Sequence, residues 1–206
     1  MMLGVVLCGG QSTRMGSDKA LLQLNGIHWA QIAAGKLAAL QLPVVLSVNV
    51  AQHATYQSVF AATELIQDQV QPPVGGPLAG ILSVHLCHPQ QDLLVLACDM
   101  PAMETGLLQS LKDIQHTQTA GVYLYSINNE PEPLCGLYTS KGLAAILQLH
   151  YSGQLHRHSM KYALQQLSVY QLPVQAQQQT AFTNINTKAD LNNLQSCGRT
   201  INTYKR

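Results

Sequence analysis

The sequence predicts an α/β fold in which a mostly parallel sheet lies between two layers of helices. Short apolar runs alternate along the chain with longer stretches of helical periodicity, as in parallel strands joined by helices. The run LLVLAC at residues 93–98 is apolar at every position, which is typical of a central strand buried on both faces. With 206 residues, of which 47% are apolar and 10% charged, the chain can form a substantial core.

The same patterns predict the individual elements in order. The first strand covers residues 3–8, and an extended piece after residue 20 closes at the turn formed by Asn25 and Gly26. Apolar residues at helical spacing between Trp29 and Leu40 predict the first helix, which Pro43 ends. Further strands are predicted at residues 44–48, 65–67, 93–98, 122–126 and 134–138, the last two separated by a loop at residues 127–133. Further helices are predicted at residues 52–60, 81–88, 105–115 and 142–150, and a last one after Thr187 with Asp190 in its capping box.

Composition and charge exclude several classes of protein. Eleven Lys and Arg against ten Asp and Glu give a net charge of +1, whereas an electrostatic nucleic-acid binder needs a basic excess. No apolar run reaches the ~18 residues of a membrane span, and the first strand is not a secretory signal. Five cysteines without a Cys-x-x-Cys pair favour a reducing compartment. We expect a cytoplasmic protein with one domain at residues 1–195, a polar tail at residues 196–206, and no nucleic-acid or membrane partner.

A glycine-rich segment after the first strand has the chemistry of a phosphate cradle. Gly9 and Gly10 allow backbone N–H groups to turn inward toward an anion. Arg14 adds a planar fork for phosphate oxygens and Lys19 adds a mobile charge. A plain turn between strand and helix would explain the glycines, but not two cations in a chain that has only eleven. The glycine order also differs from that of a dinucleotide fold or a P-loop.

Polar residues follow the predicted strands at the edge where ligands bind in open α/β sheets. Asn49 and Asp68 follow the second and third strands, and Asp99 follows the apolar strand at residues 93–98. Mg²⁺ takes hard oxygen ligands and often only one or two carboxylates, so Asp99 is a candidate metal ligand. A turn or helix-cap role explains Asn49 equally simply and is an alternative for Asp68 and Asp99, although Asp99 faces the same edge as the glycine-rich segment. The segment PPVGGPLAG, also rich in glycine, precedes the predicted helix at residues 81–88 and would bring free N–H groups toward a bound ligand, but a stiff loop before a helix explains it more simply.

The segment Gly-Gly-x-Ser-x-Arg-Met-Gly-x-Asp-Lys resembles the signature of the molybdenum cofactor guanylyltransferases, which belong to the nucleotidyltransferase superfamily. The Asp-Met-Pro at Asp99, the Gly-Pro-Leu-Ala-Gly segment and the Phe-x-Asn-x-Asn-Thr segment near the end of the chain resemble the same family. The resemblance covers residues 5–194. It implies a three-layer, Rossmann-like α/β/α domain that transfers GMP from GTP to molybdopterin with Mg²⁺ and releases pyrophosphate.

The resemblance also assigns roles to residues of this chain. It implies catalytic roles for Arg14, Lys19 and Asp99, with Mg²⁺ bound to Asp99. The acceptor, molybdopterin, would contact Asn184 and Asn186. Transient contact with other cofactor-biosynthesis or molybdoenzyme-maturation proteins is a further implication. The nucleotide, GTP, would contact Leu7, Cys8, Gly9, Gly10, Lys19, Asp68, Gly76, Gly80 and Asp99.

Three alternatives remain open at the level of the sequence. The same chemistry with CTP or with another phosphorylated acceptor is compatible with the glycine-rich segment, which does not encode the base. A non-catalytic nucleotide-binding protein is a second alternative, although it predicts loss of Lys19 or Asp99, and both are present. A dehydrogenase is disfavoured by the glycine order. The stretch from His156 to Lys161 gathers basic residues whose spacing could also suggest a metal site, but no Cys or carboxylate ligand lies nearby in the sequence. The resemblance implies a basic clamp on the anionic acceptor here, with Arg157 as its candidate residue.

Overall fold

A computed structural model describes residues 1–9, 18–60, 63–185 and 190. Within these residues, strands and α-helices alternate between residues 27 and 127. The strands are β1 (Met2–Leu7), β2 (Gln23–Leu24), β3 (Ile27–His28), β4 (Val44–Val48), β5 (Glu64–Gln67), β6 (Asp92–Ala97), β7 (Val122–Ile127), β8 (Glu130–Tyr138) and β9 (Val169–Pro173). The helices are α1 (Trp29–Ala38), α2 (Val50–Val59), α3 (Pro77–Cys87), α4 (Thr105–Ile114), α5 (Ser140–Tyr151) and α6 (Met160–Gln165).

Seven of the described strands form one sheet in the order β5-β4-β1-β6-β8-β7-β9. Strands β5, β4, β1 and β6 are mutually parallel, with β1 between β4 and β6. Strand β8 runs antiparallel to both of its neighbours, and β9 is parallel to β7. The predicted α/β class with a mostly parallel sheet is therefore confirmed. Because β1, β4, β5 and β6 are parallel, their carboxyl ends meet at one edge of the sheet.

Alternate side chains of the central strands face two separate cores. Val6, Leu94 and Leu96 are fully buried against α1, α2 and α4. Val5 and Val95 are equally buried on the opposite face, against α3, α5 and α6. Successive residues of a strand point to opposite faces, so a strand apolar at every position supplies both cores at once. The three layers follow directly from this pattern.

Helix α3 begins earlier than the sequence pattern predicts. It starts at Pro77, where the fixed φ of proline suits the first helical position, and not at residue 81. Gly76 precedes it with a φ of +67°, a conformation that glycine adopts readily. Gly80 therefore lies inside the helix and not in the loop before it. A Cβ at Gly80 would collide with Ser47 Oγ, so this glycine allows α3 to pack closely on β4.

The predicted loop at residues 127–133 is wrong, because β7 and β8 form a tight hairpin there. Asn128 and Asn129 connect the strands with φ values of +51° and +64°, which a two-residue hairpin turn requires. Pro131 and Pro133 argue against a strand by sequence. They are tolerated because β6 pairs only with the part of β8 from Cys135 onward, which leaves the proline-containing part paired on one side. Strand β9, at an edge of the sheet, was not predicted.

Four of the five cysteines lie in the part of the chain that the structure describes. Cys8, Cys98 and Cys135 are buried free thiols and Cys87 is an exposed one. Among the residues that the structure describes, no helix has both the length and the apolar character needed to cross a membrane. The predicted last helix lies outside the described residues, apart from Asp190.

Candidate active site

The first residue after β1, after β5 and after β6 is held by a backbone hydrogen bond to the neighbouring strand of the sheet. The N–H of Cys8 donates to the Ser47 carbonyl at 3.0 Å, and the N–H of Asp68 donates to the Val48 carbonyl at 3.0 Å. The N–H of Cys98 donates to the Leu7 carbonyl at 3.1 Å. These bonds extend the ladder by one residue beyond the strands. The segments that carry Gly9, Asp68 and Asp99 therefore leave the sheet side by side.

Lys19 and Asp99 form an ion pair although 80 residues separate them in the chain. The distance from Lys19 Nζ to Asp99 Oδ2 is 2.9 Å, and both side chains are about four-fifths buried, with exposed fractions of 21% and 18%. Partial burial limits the solvent screening of this pair, so it interacts more strongly than an exposed ion pair. A cation from the glycine-rich segment and the carboxylate after β6 are thus brought to one place.

The second carboxylate oxygen of Asp99 is the kind of ligand atom that Mg²⁺ prefers. Asp99 Oδ1 is buried and has no hydrogen-bond partner among the described residues. A buried oxygen without a partner is costly unless it meets a donor or a cation. The described residues contain no cluster of three His, Cys, Asp or Glu side chains suited to a metal. A single protein carboxylate nevertheless suits Mg²⁺ when phosphates and water complete its coordination.

Residues near the end of the chain pack against the same loop. The N–H of Ile185 donates to the backbone carbonyl of Asp99 at 3.0 Å, and Ile185 is fully buried with Trp29. Asn184, the predicted acceptor-binding residue, is therefore held next to Asp99. Asn186, its predicted partner, lies outside the described residues, as do Gly10 and Arg14.

A buried lysine, Lys36, donates hydrogen bonds to the loop that follows Asp99. Lys36 Nζ donates to the Pro101 carbonyl at 2.6 Å and to the Met103 carbonyl, and the residue is only 5% exposed. Burial lowers the pKa of Lys36 to about 8, and the nearby carboxylate of Glu104 opposes that change. Sequence reasoning missed this residue, although a lysine one position before Leu37 on an apolar helix face is a usable signal.

A cavity of about 710 Å³ opens between the carboxyl ends of β1 and β4 and the start of α3. Its volume is that of a typical small-molecule site. Burial raises the pKa of the Asp68 carboxyl on its wall. Asn49 also lines the cavity, but its side chain caps α2 by accepting from the N–H of Gln52 at 3.0 Å. The predicted nucleotide-binding residues on the wall are Leu7, Gly9, Asp68, Gly76 and Gly80.

The other described residues that were predicted to bind the nucleotide are Cys8, Lys19 and Asp99, and they are not among the residues that line this cavity. Lys19 and Asp99 form the ion pair. Cys8 is buried in the core on the α1 side of the sheet, and burial raises the pKa of its thiol. Within the predicted basic clamp, Lys161 pairs with Glu130 at 3.2 Å on the exposed surface.

Helix α2 holds the residue that precedes Lys19, a feature that the sequence did not reveal. Asp18 accepts hydrogen bonds from Tyr56 Oη at 2.8 Å and from Gln52 Nε2 at 2.7 Å. The N–H of Ala20 also donates to Asp18, at 3.1 Å, so Asp18 caps the short 3₁₀ turn that contains Lys19. The position of Lys19 is therefore coupled to α2.

The chain shares its fold with nucleotidyltransferases of solved structure. A nucleotidyl transferase from Methanothermobacter thermautotroptrophicus gives a TM-score of 0.72 at 15% identity, covering 96% of this chain and 97% of that one. Molybdopterin-guanine dinucleotide biosynthesis protein A from Archaeoglobus fulgidus gives a TM-score of 0.78 at 23% identity, covering 95% and 98% of the two chains. Both likenesses concern the fold alone.

The family follows from the sequence itself. A model of the family described as MobA-like NTP transferase domain matches residues 4–168, and the chain belongs to this family. A relative from Flavobacterium johnsoniae, named "Probable molybdenum cofactor guanylyltransferase", is 28% identical over 192 residues. The match covers 92% of this chain and 94% of that protein. The resemblance seen in the glycine-rich segment is thereby confirmed.

Proposed function

We propose that the protein transfers GMP from GTP to the terminal phosphate of molybdopterin and releases pyrophosphate. The pair formed by Lys19 and Asp99 carries this proposal, because it joins a phosphate-neutralising cation to a carboxylate with one buried oxygen left without a described partner. The names of the relatives supply the substrates. A cytoplasmic location and transient contacts with other proteins of cofactor biosynthesis belong to the same proposal.

The proposed reaction needs charge neutralisation and alignment more than a base. An oxygen of the molybdopterin phosphate attacks the α-phosphorus of GTP, a new P–O bond forms, and the bond to the bridging oxygen breaks. Pyrophosphate leaves with the electron pair of that bond. Because the attacking phosphate is already an anion, no proton has to be removed. Lys19 would neutralise charge on the phosphates, and Arg14 is proposed to assist it.

Asp99 is the residue of this chain that would hold Mg²⁺. The metal, when bound, would polarise the α-phosphate and stabilise the departing pyrophosphate. Asp99 would supply Oδ1 to it and keep Oδ2 on Lys19, since the two oxygens have different surroundings. The backbone bond from Ile185 would hold the carboxylate in position beside Asn184, the proposed contact to the acceptor.

The cavity between the ends of β1 and β4 and the start of α3 is the proposed site for the nucleoside. Its wall combines apolar surface from Leu7 and Val74 with the polar side chains of Asn49 and Asp68. The carboxylate of Asp68 can accept hydrogen bonds from N–H or O–H groups of a nucleoside. Gly76, at the start of α3, offers backbone without a side chain in the way.

The substitution Asp99→Asn tests this function. It keeps the shape of the side chain but removes the charge that a hard dication prefers. GMP transfer, measured as pyrophosphate release with GTP, Mg²⁺ and molybdopterin, should therefore collapse, while Tm should change by only a few degrees. A cap role predicts that activity survives, because Asn caps helices as well as Asp does.

Asp92→Asn is the matched control for that experiment. Asp92 begins the same strand at the opposite end, where its Oδ1 accepts from the N–H of Ser140 at 2.8 Å. The amide oxygen of Asn can accept the same bond, so activity should stay at the wild-type level. Pyrophosphate release by Asp99→Asn at the rate of this control would remove Asp99 from the proposed mechanism.

A further inference from the structure

One side chain joins the two ends of the glycine-rich segment. Gln52 Nε2 donates to the carbonyl of Cys8 at 3.0 Å, just before the segment, and to Asp18 at 2.7 Å, just after it. Its Oε1 accepts from the N–H of Asn49 at 3.0 Å. Both N–H groups and the oxygen of this amide are thus used. Gln52 is 9% exposed, so few of these bonds can be exchanged for water.

Tyr56 directs its hydroxyl to the same carboxylate. The ring is completely buried and packs edge-to-face on Phe60 at 5.1 Å, while the hydroxyl donates to Asp18 at 2.8 Å. Burial raises the pKa of Tyr56, and the neighbouring Asp18 carboxylate adds to this effect, so the hydroxyl stays protonated and remains a donor. The two hydrogen bonds to Asp18 are charge-assisted, a stronger kind than bonds between neutral groups.

Packing and helix capping alone do not account for this arrangement. The capping box of α2 is complete with Asn49 and Gln52, and it does not require Gln52 to reach Asp18. A phenylalanine at position 56 would fill the core as well as a tyrosine. What the polar groups add is a fixed position for Asp18, which is followed directly by Lys19.

We propose that Gln52 and Tyr56 are positioning residues that hold Asp18 and thereby set Lys19 for contact with the phosphates of the nucleotide. This inference rests on the proposed function, since it assumes that Lys19 binds those phosphates. It predicts that loosening Asp18 weakens binding of the triphosphate and leaves binding of the nucleoside unchanged. A purely structural role would weaken both ligands or neither.

The test compares Mg·GTP with guanosine as ligands of Tyr56→Phe, a change that removes one oxygen and keeps the ring. The dissociation constant for Mg·GTP should rise about tenfold, in line with loss of a hydrogen bond to a charged group. The dissociation constant for guanosine should stay within about twofold, the usual scatter of such measurements. Gln52→Met removes the other bond to Asp18 together with the bonds to Cys8 and Asn49, and it should also weaken Mg·GTP more than guanosine. In turnover, kcat/KM for GTP should fall while the KM for molybdopterin is unchanged.

Two further variants complete the experiment. Tyr138→Phe is the matched control, because this buried tyrosine donates to the Pro133 carbonyl at 2.6 Å on the other face of the sheet. It should bind both ligands like the wild type. In a Lys19→Ala background, Tyr56→Phe should have no further effect on Mg·GTP binding, since the two changes act through the same contact.

The outcomes separate this inference from the proposed function. If Lys19→Ala weakens Mg·GTP and Tyr56→Phe does not, the positioning role is overturned and the proposed function stands. An undiminished effect of Tyr56→Phe in the Lys19→Ala background also overturns it, because the hydroxyl would then act elsewhere. If Mg·GTP binds wild type no better than guanosine and Lys19→Ala changes nothing, both proposals fall together.

Discussion

The amine of Lys36 shows how a single buried side chain shapes the candidate site. It lies under the loop that follows Asp99 and satisfies two backbone carbonyls of that loop, from Pro101 and Met103. Carbonyls buried without donors would destabilise the loop, and an ammonium group donates to several of them at once. The charge itself is costly at this depth, which is why the pKa of Lys36 is lowered to about 8. The loop is thus held at an electrostatic cost that depends on pH.

We predict that the cost of burying Lys36 disappears in alkaline solution. Below pH 8 the amine is charged in both the folded and the unfolded chain. Between about 8, its folded pKa, and 10.5, the ordinary lysine value, only the unfolded chain is charged, so the unfolded state binds more protons and stability rises with pH. Over this range the gain from Lys36 is on the order of 3 kcal/mol.

Urea unfolding of the wild type and of Lys36→Met, under reducing conditions from pH 7 to pH 10.5, measures this effect. Tyrosine and cysteine titrations act on both proteins and cancel in the difference between their free energies of unfolding. That difference should increase in favour of the wild type as pH rises above 8. Lys141→Met, at an exposed position of α5, should show a constant difference. A constant difference for Lys36→Met as well would contradict the prediction.

At the scale of elements, the sequence predicts most strands and helices but not all their ends. Buried strands and amphipathic helices leave an apolar period that is independent of their partners, so β4 and α4 are predicted almost as found. The edge strand β9 pairs with β7, which lies far along the chain, so the local pattern does not contain it. The hairpin turn at Asn128 is local, but the two prolines that follow it argue against a strand by sequence.

The residues of the candidate site also form two groups, those that the sequence predicts and those that it misses. Lys19 and Asp99 are predictable because their residue types carry the chemistry of phosphate and metal binding, and the resemblance supports them. Lys36, Gln52 and Tyr56 were missed because a lysine, an amide and a phenol on helices are usually solvated or part of the core. Their partners, Asp18 and the backbone carbonyls, come within reach only when the helices pack on the sheet.

Close approach of α5 to the segment before β7 gives a prediction about packing between elements. A Cβ on Gly142 would lie 2.5 Å from the carbonyl oxygen of Gly121. That oxygen cannot move freely, since it accepts from the N–H of Thr139 at 3.0 Å and from its hydroxyl at 2.9 Å. Gly142→Ala should therefore lower the free energy of unfolding by about 1–3 kcal/mol, the usual effect of overpacking.

Gly106→Ala is the matched comparison, because Gly106 lies in the first turn of α4 with open space around it. It should raise the free energy of unfolding by about 0.4–1 kcal/mol, through the lower entropy of the unfolded chain. Urea denaturation of both variants measures the contrast. Equal effects of the two substitutions would show that the contact with Gly121 does not limit the approach of α5.

At the scale of the whole molecule, one sheet connects the two cores and the ligand edge. The central strand β1 contributes to both cores, and the segment after it leads to Lys19. The segment after β6 carries Asp99 and is tied by Ile185 to a third cluster around Trp29. The loop that carries Asp99 is therefore tied to the packed interior. Binding of a ligand at the edge should stabilise the fold as a unit.

Unfolding should accordingly occur in one transition that Mg·GTP shifts as a whole. Trp29, the single tryptophan, is fully buried in the third cluster, so its fluorescence reports that cluster, while circular dichroism reports the helices. The two signals should coincide during thermal unfolding, as expected for the single domain at residues 1–195. A fluorescence transition that precedes the loss of helix would contradict the single domain.

Mg·GTP at a hundredfold excess over its Kd should add ~2.7 kcal/mol to the free energy of unfolding. Both signals should then show a higher Tm, by roughly 2–4 °C per kcal/mol. ATP, CTP and UTP at the same concentration should give smaller shifts. A larger shift with CTP than with GTP would show that the protein uses CTP, and not GTP, as the nucleotide donor.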